Sequence, residues 1–322
     1  MLRINKYFLL AGIILAMGIA LAACSPIENR PGTEDRERLE IVATTTFIGD
    51  VVGQVAGGIP EITVLLEPGQ NPHSYQPTPQ DLVNISRADA IFVNGLNLEE
   101  FLDDLLDGSG TEAKVVVVSE GIQPLGLPDQ TGGEGDDDEL EEDHGQEIGY
   151  DPHVWFDPNN TLIWTENIVN ALARLDPAHA ADYQANGQAF QEDLLALDSW
   201  IRAEVNRIPE GNRELVTDHT SLSYFAQQYG FRQIGAVIPA LTTEAETSGQ
   251  ELAGLIDTIR ENQVRAIFVG IDFDPTLAQR VAEETGVDLI PLYFGSLTAG
   301  EPAGTYLDFM RFDVSAIVEA LQ

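Results

Sequence analysis

Cysteine occurs once in 322 residues, at Cys24, so no disulfide can form within the chain and the fold must stand on its hydrophobic core. Basic residues are scarce too: 16 Lys and Arg face 53 Asp and Glu, giving a net charge of −37, and the only lysines are Lys6 and Lys114. A chain this acidic is a poor partner for nucleic acid. It repels anionic ligands and concentrates cations, an effect screened within about 8 Å at physiological salt, and it equally suits solubility or a salty medium. No GxxxxGK[ST] phosphate loop is present, which excludes an ATPase of that type, and neither HExxH nor GxSxG occurs. What remains is ample for folding, since 43% hydrophobic residues over this length suffice for two medium domains.

The N-terminus carries Arg3 and Lys6, then an apolar run from Phe8 to Ala23, and closes with Leu21-Ala22-Ala23 before Cys24. These are the parts of a signal peptide over residues 1–23, ending in a sequence similar to a bacterial lipobox, so Cys24 is expected to be the lipidated first residue of the mature chain. The run is somewhat short for a membrane span of about 20 apolar residues. Its removal takes the net charge from −37 to −39. Residues 24–38, rich in Pro, Gly and charge without apolar periodicity, read as a flexible tether.

From residue 39 onward, β-rich runs alternate with helical patterns. Leu39–Thr44, Ile62–Leu66, Ala90–Val93 and Lys114–Val118 are predicted strands, with helices over Gly49–Val55, Pro79–Ser86 and Leu98–Leu106. A second series predicts strands at Glu214–Thr217, Ala266–Val269 and Val287–Leu292 and helices at Tyr224–Tyr229, Gly249–Glu261, Leu277–Thr285 and Val314–Leu321. Between the two series, Tyr183, Phe190, Leu194, Leu197, Trp200 and Ile201 recur at helical spacing. The expected fold is therefore α/β: an N-terminal lobe over 39–176 and a C-terminal lobe over 209–322, each a mostly parallel helix-covered sheet, joined by one long helix over 177–208. The segments TTTFIGDVVGQVAGG and TDHTSLSYFAQQYGF, one at the start of each lobe, are weakly alike.

Three of the five histidines stand in loops between apolar segments: His73 in NPHSYQP, His153 in DPHVWFDP and His219 in VTDHTSLSYF. Each follows a predicted strand or precedes a predicted helix, the place where open parallel sheets bind ligands. Three neutral imidazoles around one zinc ion leave a tetrahedral position open. Of the others, His179 opens the long helix and reads as exposed. Trp155, Phe156, Trp164 and Tyr224 read as packing around the cleft.

EPGQNPHSYQPTPQDL, NGLNLEEFL, DPHVWFDPNN, LDPAHAADYQAN, TDHTSLSYFAQQYGF and GTYLDFMRFDV follow one another in the order of the signatures of the zinc- and manganese-binding lipoproteins of metal ABC transporters, and from residue 39 to 322 the chain resembles that family. The resemblance implies two lobes bridged by a rigid helix with metal held between them, a monomer working with a membrane permease. It places first-lobe ligands at His73 and His153 and a second-lobe ligand at His219. Family members with histidine at this third place look zinc-leaning and those with glutamate manganese-leaning, which agrees with the softer character of imidazole nitrogen.

The chain departs from the family where the fourth ligand is expected, because the matching positions are Gly295 in LYFGSL and Gly270 in IFVGIDFDP. Asp272 or Asp274 is then the candidate replacement, with Glu67 a weaker one and a water molecule the remaining option. The acidic loop 131–149 precedes His153; it includes Asp136, Asp137, Asp138, Glu141, Glu142, Asp143 and His144 and reads as an accessory cation-attracting segment or a solvated one.

The expected function is extracytoplasmic capture of Zn2+, with Mn2+ or iron as the alternative cargo, by a protein anchored through Cys24 to the outer face of the cytoplasmic membrane. A three-histidine zinc hydrolase is the competing class, but it accounts for the histidines alone and leaves the tether and two lobes unexplained. A surface adhesin is the third. Binding needs neutral imidazoles, so affinity is expected to fall as pH drops toward about 6.5. The long helix is expected to restrict the lobes to small shifts on metal release.

Overall fold

Short runs of β-branched and aromatic residues that are apolar at every position, such as AIFV at 90–93 and AIFVG at 266–270, bury both faces and therefore form central strands of parallel sheets. A computed structural model describes residues 38–126 and 149–322. The leader 1–23, the tether up to residue 37 and the acidic loop, apart from Gly149, lie outside the described residues.

In chain order the elements are β1 (Glu40–Ala43), α1 (Thr46–Ala56), β2 (Glu61–Val64), α2 (Pro79–Arg87), β3 (Ala90–Val93), α3 (Leu102–Ser109), β4 (Lys114–Val117), α4 (Pro158–Leu175) and α5 (Ala180–Val205). They continue with β5 (Glu214–His219), α6 (Ser223–Tyr229), β6 (Arg232–Ile238), α7 (Gly249–Asn262), β7 (Ala266–Gly270), α8 (Thr276–Thr285), β8 (Asp288–Leu292) and α9 (Tyr306–Leu321). Two four-stranded sheets result, in the orders β2-β1-β3-β4 and β6-β5-β7-β8, and every pairing is parallel. The faint likeness between the lobe starts is thus one topology used twice. β1 and β5 are each followed by a helix stopped by a left-handed glycine, Gly57 (φ 59°) after α1 and Gly230 (φ 74°) after α6. Among the described residues, no helix is long and apolar enough to cross a membrane.

Strand alternation divides the apolar side chains among three clusters. Val42, Ile91 and Val93 face outward under α2 and α3, and Val216, Ile267 and Val269 face outward under α7 and α8. Their neighbours Ile41, Ala43, Phe92, Leu215 and Phe268 face inward to a single core that runs through both lobes. Phe47 of α1 stacks on Trp155 with ring centroids 5.2 Å apart and meets Phe309 of α9 at 4.8 Å. Polar ties cross the same boundary: Trp155 Nε1 donates to Phe294 O at 3.2 Å, Tyr306 Oη to Trp155 O at 2.7 Å and Leu297 N to Thr46 Oγ1 at 2.8 Å.

The long connecting helix is present, but shorter than its periodicity suggests. Pro177–His179 forms a 3₁₀ turn and the α-helix proper runs Ala180–Val205, burying Tyr183, Gly187, Phe190, Leu194, Leu197, Ile201 and Val205 along one stripe. Its partner α4 is absent from the sequence expectation, although Asp157 caps it and Pro158 occupies its first turn. Gly187 lets the two helices close: a Cβ there would lie 2.3 Å from Val169 Cγ2. β6 is likewise an addition. Helix α9 starts at Tyr306, well before the expected Val314, because Thr305 caps it by accepting from Asp308 N. Helix α3 begins later than Leu98, after Leu96 and Asn97 take positive φ.

Because one core serves both lobes, they should unfold together. Phe309→Ala is expected to destabilise the protein by about 3–5 kcal/mol within one cooperative transition followed by far-UV circular dichroism in denaturant. Separate transitions for the two lobes would contradict the shared core.

Candidate metal site

His73 follows β2 in a loop folded by local polar chemistry. Gly69 sits at φ 86°, Gln70 N donates to Glu67 O at 3.1 Å, and Asn71 Oδ1 accepts from His73 N at 2.9 Å. The second lobe holds this loop from outside: Gly69 N donates to Ser296 Oγ at 2.6 Å and Asn71 Nδ2 to Thr243 Oγ1 at 3.1 Å. His153 lies between β4 and α4, where Pro152 and a 3₁₀ turn at Val154–Phe156 set the chain direction. His219 is the last residue of β5, at the carboxyl end of the second sheet.

The three rings converge. Their nitrogen ligand atoms all lie within 4.8 Å of one another, the one such group found among the described residues. His153 Nε2 is 3.1 Å from His73 Nε2 and 3.2 Å from His219 Nε2. A tetrahedral zinc ion with Zn–N near 2.0–2.1 Å separates its nitrogen ligands by roughly 3.3 Å, so the spacing fits a common ion.

Two carboxylates fix which nitrogen faces the centre. Asp151 Oδ1 is 2.7 Å from His153 Nδ1, and Asp218 Oδ1 is 2.6 Å from His219 Nδ1. Each ring in its neutral form therefore donates Nδ1–H to its carboxylate and turns the Nε2 lone pair inward. Asp218 is held in turn, its Oδ2 accepting from Gly270 N at 2.6 Å. Both acids are buried, and neither belongs to the site expected from sequence, although each stands within two residues of its histidine in DPH and TDH. His153 and His219 are 1% and 3% exposed, while His73 is half-buried and lies nearest to solvent.

The structure sorts the remaining candidates. Asp272 lines the cavity with the three histidines, together with Trp155, Thr243 and Phe294, and burial pushes its carboxyl up to about 6. It is not one of the tight three-nitrogen cluster. Asp274 is turned away and exposed, with Oδ1 accepting from Thr276 N at 3.0 Å and Thr276 Oγ1 at 2.6 Å at the start of α8. Glu67 is exposed in its turn and does not line the cavity. His179 lies in the 3₁₀ turn before the connecting helix, its side chain 48% exposed and bonded to Asp176. Phe156 and Trp164 are buried as packing residues, whereas Trp155 also makes the bonds to Phe294 and Tyr306 given above, and Tyr224 donates to Asp151 O at 2.8 Å and accepts from Leu125 N at 3.0 Å. Asp136, Asp137, Asp138, Glu141, Glu142, Asp143 and His144 fall outside the described residues, as does Cys24.

Burial, reinforced by the two neighbouring rings, holds His73 well below the usual imidazole value of 6.5, and burial lowers His153 as well. The pH at which protons begin to compete for His73 is therefore lower than a free histidine suggests. In the metal-free protein the His73 ring should remain neutral at pH 6.5, where a free imidazole is half protonated, and titrate only well below it. Ring NMR resonances, assigned with His73→Ala, provide the measurement; a midpoint at 6.5 or above would contradict the burial argument.

The model of the family described as zinc-uptake complex component A, periplasmic, matches residues 41–320. The chain is 32% identical to the iron-binding protein YfeA of Yersinia pestis over 98% of both chains. It is 31% identical to the manganese-binding lipoprotein MntA of Halalkalibacterium halodurans over 96% of this chain and 97% of that one. Among solved structures it is similar to the Mn-bound periplasmic metal-binding protein from Candidatus Liberibacter asiaticus, with 28% identity, TM-score 0.76 and coverage of 88% and 100%. It is also similar to the periplasmic zinc-binding protein TroA from Treponema pallidum, with 26% identity, TM-score 0.76 and coverage of 88% and 99%. Both share the architecture of two helix-flanked parallel sheets and a connecting helix. The chain belongs to the family of periplasmic zinc-uptake complex component A, as the metal-binding, substrate-binding component of an ABC transporter and not as an enzyme.

Proposed function

We propose that this protein captures zinc outside the cytoplasmic membrane and hands it to a permease, with His73, His153 and His219 as its ligands. The convergence of three Nε2 lone pairs, two of them aimed by buried carboxylates, carries the reading. A set of three imidazole nitrogens suits zinc, and His219 stands where a carboxylate would favour the harder manganese ion. The ion enters beside His73, the half-buried ring, and displaces its water against the two buried ones. Burial disfavours the charged forms of His73 and His153, which lessens proton competition for the ion. The second reading, manganese or iron as cargo, is favoured by the names of the relatives and by the Asp272 carboxylate at the cavity wall.

In this reading the protein acts as a monomer, anchored through a lipid on Cys24, with residues 24–38 as the tether that lets it reach its permease. The acidic loop attracts cations toward the cleft.

Metal-stripped mature protein offered equal zinc and manganese, then dialysed, is expected to retain about one zinc per chain, with retention much weakened in His219→Ala. Preferential manganese would favour the second reading, and retention indifferent to His219 would overturn the assigned site. For the anchor, Cys24→Ser should move the protein from the membrane to the soluble fraction of a bacterial host; unchanged membrane association would rule out lipidation at this residue.

A further inference from the structure

The chain turns sharply as it leaves β7. Ile271 N donates to Leu292 O at 3.0 Å and Phe273 N returns to Gly270 O at 3.1 Å, so Asp272 sits at the bend and lines the cavity of the three histidines. Its carboxylate occupies space that only glycine leaves free. A Cβ on Gly270 would lie 2.8 Å from Asp272 Oδ1, and a Cβ on Gly295 would lie 2.5 Å from Asp272 Oδ2. Real Cβ atoms essentially never come within 3.0 Å of a heavy atom. A side chain at either position would therefore evict the carboxylate or force the backbone apart.

Neither glycine is required by backbone conformation, since neither takes a positive φ. Both are instead fixed at the site by other contacts. Gly270 N donates to Asp218 Oδ2, the carboxylate that orients His219, at 2.6 Å, and a Cβ on Gly295 would also press on Pro72 Cδ, next to His73, at 2.8 Å. The two glycines thus stand against the supports of two different ligands while leaving a slot between them, and an acid fills that slot.

We infer that Gly270 and Gly295 form a slot that admits the Asp272 carboxylate to the metal cavity, and that this carboxylate supplies the oxygen facing the bound ion and sets how well the site accepts oxygen-preferring divalent cations beside zinc. The inference rests on the metal-capture reading of the three histidines. Its chemistry is direct: three neutral nitrogens favour zinc, and one anionic oxygen broadens the site toward manganese and iron.

The geometry also supplies a relocation test. Because a Cβ at 295 points at the place Asp272 Oδ2 now holds, a carboxylate grown from 295 would enter the same slot once residue 272 is trimmed. Zn2+ and Mn2+ affinities would be measured by chelator competition for wild type, His219→Ala, Asp272→Asn, Gly295→Ala and the double variant Asp272→Ala/Gly295→Asp, with far-UV circular dichroism and thermal melts of each metal-free protein. Asp272→Asn keeps the shape of the side chain and decides the matter should Gly295→Ala not fold. Loss of a supporting group around a metal typically weakens binding about 10–100-fold. Asp272→Asn and Gly295→Ala should lower Mn2+ affinity by at least tenfold, lower Zn2+ affinity less, and so raise the zinc-to-manganese ratio; the double variant should restore much of the Mn2+ affinity. Unchanged Mn2+ affinity in Asp272→Asn would overturn the inference while leaving the histidine site intact, provided His219→Ala still loses metal. Equal loss of both metals with no recovery in the double variant would reduce Asp272 to a structural role and also overturn it. Absence of metal binding by the wild type would remove the histidine reading and the inference together.

Discussion

Three imidazoles packed against each other inside a protein repel once two of them carry a proton, and they lose their use as ligands when their lone pairs point the wrong way. Burial answers the first demand by disfavouring the charged forms of His73 and His153, and Asp151 and Asp218 answer the second by accepting the Nδ1 protons of His153 and His219. Those acids are themselves buried, and a buried carboxylate is stable only with partners. Asp218 takes Gly270 N, and Asp151 holds the backbone N–H of His153 at 2.9 Å as well as its ring. The arrangement sets two buried acids behind the rings, an order that suits the cation held by inward lone pairs in the proposed reading. Strand ends, the 3₁₀ turn at Val154–Phe156 and the bend after β7 are arranged around this need.

The second constraint is the undivided core. A binding protein whose lobes owned separate cores could swing open about a few hinge residues. Here Phe47, Trp155, Phe294 and Phe309 lie in one apolar body with the connecting helix along its side, and parting the lobes would expose it to water. The expectation of small movements, drawn from the helix in the sequence, has a second physical ground in this packing. In the proposed reading, opening would then fall to the loops around the three histidines.

Much of this is legible in the sequence. The alternation of strand and helix patterns, the amphipathic stripe from Tyr183 to Ile201 and the loop positions of His73 and His153 carry through to the structure, because each depends on local periodicity or on a residue type with one dominant use, whereas His219, expected in a loop, ends strand β5. The losses have physical causes. β6 is hard to see because RQIGAVI opens with polar residues on a sheet edge and has Gly235 in the middle, against which Leu255 packs. Helix α4 is hidden by the motif before it, although its cap signals are present. Asp151 and Asp218 could be inferred from their spacing to histidine; the separation of Asp272 from Asp274 could not, since a turn of two residues decides which one faces the cavity.

The polar pins on the His73 loop impose an order on traffic through the cleft. Of the three rings, His73 alone is both nearest to solvent and carried by a segment fastened to the opposite lobe through single hydrogen bonds, from Gly69 to Ser296 and from Asn71 to Thr243. His153 and His219 stand on buried backbone behind it. In the proposed reading these single bonds make His73 the ligand from which departure of the cargo would begin, with His153 and His219 still in place behind it.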